Sequence, residues 1–297
     1  MRKRLNRIGP MILLTALVLA GCSSDESTVG TEVQRAPNLP SIETMKLDMS
    51  FFESAEVPQQ AIVEGKLDGA PDAVAMDGLH LNFLNAAVRV LYLDVVVFSA
   101  LVEPVVAFQL AIRSVPQPQD DGSWLWTYIV VEETNEYAIY LYGKDEGTYS
   151  SWRLEVSTDD PTMPLDHFTW FAGEIESDES GGYWQFYEPV MDEAAFADGP
   201  LSTPGIRSIR IDWADGGMDG NSLILLVNKP GDPAEGSTLT FEELPEYSSV
   251  RFYDSEKGTA GTILWRFDGS GYIEWPDYHD GERSCWDSTQ HDVDCSE

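Results

Sequence analysis

Tyr137-Ala138-Ile139-Tyr140-Leu141-Tyr142, then a Gly143 to Gly147 turn, then Trp152-Arg153-Leu154-Glu155-Val156: this stretch decides the fold class. Two runs rich in aromatic and branched residues flank a short Gly/Asp-bearing connection, the pattern of an antiparallel hairpin. The same grammar repeats downstream. Phe168-Thr169-Trp170-Phe171 and Tyr183-Trp184-Gln185-Phe186-Tyr187 flank Ser177 to Gly182. Ile263-Leu264-Trp265-Arg266-Phe267 and Tyr272-Ile273-Glu274-Trp275 flank Asp268 to Gly271. Such connections are too short for the crossover helices that parallel strands need. The expectation is a mainly β fold: an antiparallel up-and-down meander of about ten strands, forming a barrel or a strongly curled sheet. Within 206–213, Arg207, Ile209, Ile211 and Trp213 fall on one face and Ile206, Ser208, Arg210 and Asp212 on the other. One apolar and one polar face is the pattern of a sheet with one side in water.

Residues 73–113 read differently. Leu79 to Val88 continues through Val95-Val96-Val97 to Ile112 with no turn signal between Gly78 and Pro104. The length favours helix over strand, although the three valines keep a short strand in play. Asp77 or Asn82 would cap the start, and Pro104 would begin a second helix or kink a long one. Arg89, Asp94 and Glu103 would each cost ~2.5–3.5 kcal/mol at mid-bilayer. This apolar helical segment is therefore expected inside or against the sheet rather than across a membrane.

The N-terminus gives an address. Arg2, Lys3, Arg4 and Arg7 precede an apolar run from Met11 to Ala20, which is short for a span. The run ends Leu19-Ala20-Gly21-Cys22. This segment resembles the bacterial lipoprotein precursors, whose lipobox places small residues just before a cysteine. The resemblance covers only the first two dozen residues. It implies that residues 1–21 are a signal peptide, that cleavage precedes Cys22, and that the Cys22 thiol carries diacylglycerol. Ser23 and Ser24, rather than Asp, follow the cysteine, which by the sorting rule of enteric lipoproteins implies the outer membrane. Residues 22–45, rich in Ser, Thr, Glu and Pro, read as a flexible tether. Residues 46–297 form one β-rich domain.

The 297-residue chain has 18 Lys+Arg against 51 Asp+Glu, a formal charge of −33. Phosphate backbones would repel it, so nucleic acid is not an expected partner. With 43% hydrophobic and 11% aromatic residues, it has the apolar material for a core that a disordered acidic chain lacks. Losing Arg2, Lys3, Arg4 and Arg7 sharpens the charge to about −37. Acyl chains, not basic residues, must then provide the membrane anchor.

With Cys22 acylated, Cys285 and Cys295 remain, and outside the cytoplasm they are expected to form a disulfide. A metal site joining them to His279 and His291 matches no standard zinc spacing. No cofactor is expected. There is no Gly-x-Ser-x-Gly elbow, no His-Glu-x-x-His and no phosphate-binding Gly loop. His80 sits in the apolar segment and reads as an interior or capping residue. Asp212, Asp215, Asp219 and Asn221 are weak calcium ligands by composition, but their spacing is that of a Gly-rich turn. Carboxylate pairs such as Glu132-Glu133 carry almost no signal among 51 acids. Strand aromatics, Trp124, Trp126, Trp170 and Trp184 foremost, could stack on a glycan or lipid, against the plainer reading of core packing. The functional expectation is a lipid-anchored, non-catalytic envelope protein with a binding or structural role. A lipid- or glycan-binding barrel is the alternative, and an envelope hydrolase a weaker one. Expected partners are the membrane, through the anchor, and an envelope protein or glycan.

Overall fold

The computed structural model describes residues 35–53, 55–66, 80–132, 135–189, 200–201 and 205–295. The signal segment, Cys22, the first part of the tether and residues 73–79 lie outside them. The chain divides into two units, residues 1–35 and 36–297, and the elements all belong to the second.

Fourteen strands form one antiparallel sheet in strict sequence order. They are β1 Gln117–Pro118, β2 Trp124–Glu132, β3 Asn135–Asp145, β4 Tyr149–Thr158, β5 Leu165–Glu176, β6 Gly181–Glu188 and β7 Ile206–Asp215. β8 Asn221–Val227, β9 Thr238–Glu243, β10 Tyr247–Asp254, β11 Thr259–Arg266, β12 Gly271–Glu274, β13 Ser284–Trp286 and β14 Asp292–Val293 complete it. The meander is as the sequence reads, but the count is fourteen rather than about ten. The excess includes β1, β13 and β14, which are two or three residues long and too short to show a period. β1 and β14 do not pair, so the sheet is open among the described residues.

Helices α1 Ser50–Glu53, α2 Gln59–Glu64 and α3 Leu81–Ala111 precede the sheet. The three valines 95–97 are helical, so length prevails over β-branching. α3 bends by 54° between Leu81–Val97 and Ser99–Ala111. Pro104 lies inside it, where its ring displaces the N–H that would bond to Ala100 and crowds that carbonyl. No single helix among the described residues is long and apolar enough to cross a membrane. α3 rests on β2 and β3 at one end of the sheet and on β12, β13 and β14 at the other. One helix thus touches strands near both ends of the sheet. Phe83, Ala87, Val90, Leu101 and Phe108 of α3 are buried in the same cluster as the inward residues of the strands.

Inward positions alternate large and small. Trp124, Gly143, Trp152, Gly173 and Trp184 are successive cross-strand partners from β2 to β6. Trp265, Gly271 and Trp286 repeat the device across β11 to β13. A Cβ on Gly143 would lie 2.5 Å from the Trp152 ring, so the glycine is the space the indole fills. Residues 36–45 have tether-like composition, yet Met45 is buried and Thr44 accepts a 3.0 Å hydrogen bond from the Trp184 indole.

Candidate functional site

Pleat alternation that sends tryptophans inward sends a second set of residues out. On β3 to β7 the outward positions form two cross-strand rows. One is Tyr142, Arg153, Ala172, Gln185 and Arg210; the other is Lys144, Ser151, Glu174, Tyr183 and Asp212. Ser151 and Ala172 are small, so the β3 to β6 part of these rows, from Tyr142 and Lys144 to Tyr183, lines an open groove of about 680 Å³, walled on one side by the Pro118–Ser123 turn.

Two tyrosines flank the groove, and an arginine lies over the ring of each. The Arg153 guanidinium lies 4.8 Å from the Tyr142 ring centroid, and that of Arg210 lies 4.0 Å from Tyr183. Such contacts fix the ring planes. Arg153 Nε reaches Glu155 at 2.8 Å. Arg210 grips Asp212 through Nε (2.8 Å) and Nη2 (2.6 Å). Burial, aided by Glu155, pushes the Tyr142 phenol up. Burial, with Glu174 beside it, does the same for Tyr183. Both hydroxyls therefore remain neutral donors at ordinary pH. The wall residue Asp121 is held below the usual carboxylate range by the hydroxyl and N–H of Ser123.

Beside the groove, Glu155 is buried on the solvent face of the sheet. Arg153 holds one oxygen, and His167 Nδ1 sits 3.0 Å from the other. The His167 ring stacks on Tyr140 at 4.6 Å. Its backbone has φ 51°, a left-handed value uncommon outside glycine, and its N–H donates to Ser157 Oγ. Register shifts between β4 and β5 bracket this pair. Such bulges re-aim side chains.

A second polar cluster lies where α3 begins. Asp292 of β14 accepts the Leu81 and Asn82 N–H groups, at 3.1 and 2.9 Å. The expected Asn82 cap is not made: its amide donates to the Cys285 carbonyl, and its oxygen accepts from Tyr278. His80 is the N-cap residue, but its ring contacts the Gln290 carbonyl instead of capping. Burial, with Asp292 nearby, pushes the Tyr278 phenol up to about 12. Arg89, 3% exposed, bonds to Asn85 and to Asp277 at 2.8 Å each.

The residues singled out in the sequence scatter. Trp126 and Trp184 are 2% and 0% exposed in the core, and Trp124 and Trp170 pack partly buried against it. The four converge on no site. Cys285 and Cys295 are bridged, with Cα atoms 5.3 Å apart. Asp212 is engaged by Arg210, Asp215 accepts the Gly217 N–H of its own turn, and Asp219 lies in that turn. Asn221 pairs across β8 with Asp215 and Glu243. Among the described residues, no group of three or more His, Cys, Asp or Glu is placed to hold a metal ion. The groove escaped sequence reasoning. Its available signal was an aromatic or long cation at alternate polar-face positions of consecutive strands, with Tyr142 opposite Arg153. The chain matches no family model and no curated protein.

Proposed function

We propose that the protein is a lipid-anchored, non-catalytic component of a bacterial outer membrane that presents the outer face of a barrel-like sheet to an envelope partner. The observation that carries this reading is the filled interior. Phe83, Val90 and Phe108 of α3 share one buried core with inward Trp184, Phe171 and Trp265, which favours a sheet wrapped on a helix over one wrapped on a ligand. Recognition then belongs to the outside, where β3 to β6 offer the groove. The lipobox ending in Cys22 supports the anchor, and the acidic surface supports the need for acyl chains.

Two measurements test this. Cys22→Ala is expected to abolish metabolic labelling with a fatty acid and to release the chain from the membrane fraction. Labelling that persists would sink the anchor. Pull-down of the acylated protein, with mass spectrometry of what co-purifies, is expected to return an envelope component. Ser151→Trp, which fills the groove floor, is expected to lose it. Retention by the filled groove would overturn the outer-face assignment.

A further inference from the structure

The geometry points to a neutral glycan chain as the ligand of the β3–β6 groove, an inference that rests on the outer-face reading above. Each cation of the groove, and Arg210 beside it, already has a carboxylate: Lys144 pairs with Glu146 at 3.1 Å, Arg153 with Glu155 at 2.8 Å and Arg210 with Asp212 at 2.6 Å. Against these, Asp120, Asp121 and Glu174 add negative charge to the same lining. An anionic ligand would meet this surplus as well as the chain's overall −33. A cationic ligand would be drawn to those same carboxylates and is the rival the test must exclude; the aromatic stacking it would also seek is in part taken, because Arg153 and Arg210 already occupy a face of Tyr142 and of Tyr183.

What remains suits an uncharged polyhydroxylated molecule. Two phenols, both still protonated at ordinary pH, line the groove beside guanidinium, ammonium, carboxylate and Ser151 hydroxyl groups. Sugar hydroxyls both donate and accept, so they can satisfy this mixed set without net charge. The uncovered parts of the tyrosine rings offer apolar surface to the C–H faces of a pyranose. Tyr142 and Tyr183 stand on strands three apart, roughly 14 Å at sheet spacing, so the site spans several linked rings rather than one. Their arginine clamps hold the platforms in place before binding, which lowers the ordering cost.

The test is calorimetric titration of the acylated full-length mature chain in a zwitterionic, sugar-free detergent. The probes are cellohexaose and chitohexaose, with hexagalacturonate and hexalysine as charged comparators. A neutral hexasaccharide is expected to bind, and Tyr142→Ala and Tyr183→Ala each to weaken it at least tenfold. Ser151→Trp is expected to do the same without removing an aromatic ring, which covers the case of a tyrosine variant that does not fold. Tyr253→Ala, at an exposed position of β10 away from the groove, is expected to change nothing. Failure of both neutral probes, indifference to all three groove substitutions, or tighter binding of either charged comparator overturns the glycan assignment. A photo-crosslinking residue at position 151 separates the two readings in cells. Capture of an envelope protein without sugar binding leaves the outer-face reading standing and removes the glycan. Neither capture nor sugar binding removes both.

Discussion

Gly143 shows how little room single positions in this core have. All three nearest atoms to an added Cβ belong to the Trp152 ring, at 2.5 to 2.9 Å, and Trp152 is itself buried. Gly143→Ala is expected to destabilise the fold by about 1–3 kcal/mol, the usual cost of overpacking, read as a lower urea midpoint at unchanged m-value. An unchanged midpoint would mean that the indole has space to retreat. Asp94 on α3 carries the opposite kind of tension. Burial, with Glu53 as a second cause, raises its pKa above the ordinary aspartate value. A carboxyl with a raised folded pKa stabilises the fold below its unfolded pKa, and that contribution is lost as pH rises through the folded value. Asp94→Asn is therefore expected to raise Tm at pH 7 and to leave it unchanged near pH 3. An equal gain at both pH values would trace the effect to packing rather than ionisation. The sequence displayed the inward Trp and outward Asp212 of β7 through simple alternation. It could not display the Trp124-Gly143-Trp152-Gly173-Trp184 row, because a row exists only once the register of five strands is known.

Helix α3 was legible as an apolar run of helical length, but its bend was not: it falls between Val97 and Ser99, and Pro104 sits inside the second helical piece rather than at the break. Its capping was not, because the cap comes from Asp292, more than two hundred residues away. The groove shares that limit: Tyr142 and Tyr183 meet only through three strand pairings. Two outcomes follow from the supports of α3. Arg89 is almost fully buried, whereas the Asp277 side chain is 54% exposed. Asp277→Asn strands a buried cation, while Arg89→Met leaves a carboxylate that water can reach. Asp277→Asn is expected to cost about 2 kcal/mol, and more than Arg89→Met, by chemical denaturation; the reverse order would show that Arg89 contributes through hydrogen bonds to Asn85 rather than through charge. The disulfide acts on the same helix. It closes a ten-residue separation and holds the segment that carries Asp292. Reduction is expected to cost ~2.5–3 kcal/mol in the chain-entropy model. It should also lower hydrogen-exchange protection at the Leu81 and Asn82 amides. Unchanged exchange there would detach the bridge from the cap.

At the scale of the molecule, the question is how a sheet tolerates a net charge of −33. Part of the acid is built into the turns. Asp121, Asp160, Asp178, Asp268 and Asp287 each accept the N–H and hydroxyl of a Ser or Thr two residues on, at 2.6–3.1 Å. The Asp-x-Ser/Thr repeat is readable in the sequence, and it explains why the acids gather between strands. These side-chain and backbone hydrogen bonds hold all five carboxyls below 3.8. A depressed folded pKa contributes stability above the unfolded value and loses it as pH falls through the folded one. The remaining surface charge works the other way, since mutual repulsion at neutral pH destabilises the compact state and weakens as carboxylates protonate. Ordinary Glu titrates near 4.3, above the range in which the turn carboxyls let go. Lowering pH from 7 therefore relieves repulsion before it dissolves the turns. The expected outcome is a stability maximum at mildly acid pH, about 5, with a steep loss below about 3.5. Salt distinguishes the two contributions, because exposed repulsion is screened over a Debye length of roughly 8–10 Å while short hydrogen bonds within a turn are not. Raising sodium chloride from 20 mM to 500 mM should lift Tm clearly at pH 7 and little at pH 5. A Tm that falls steadily from pH 7 to 5, or a salt response equal at both, would show that repulsion does not limit this fold.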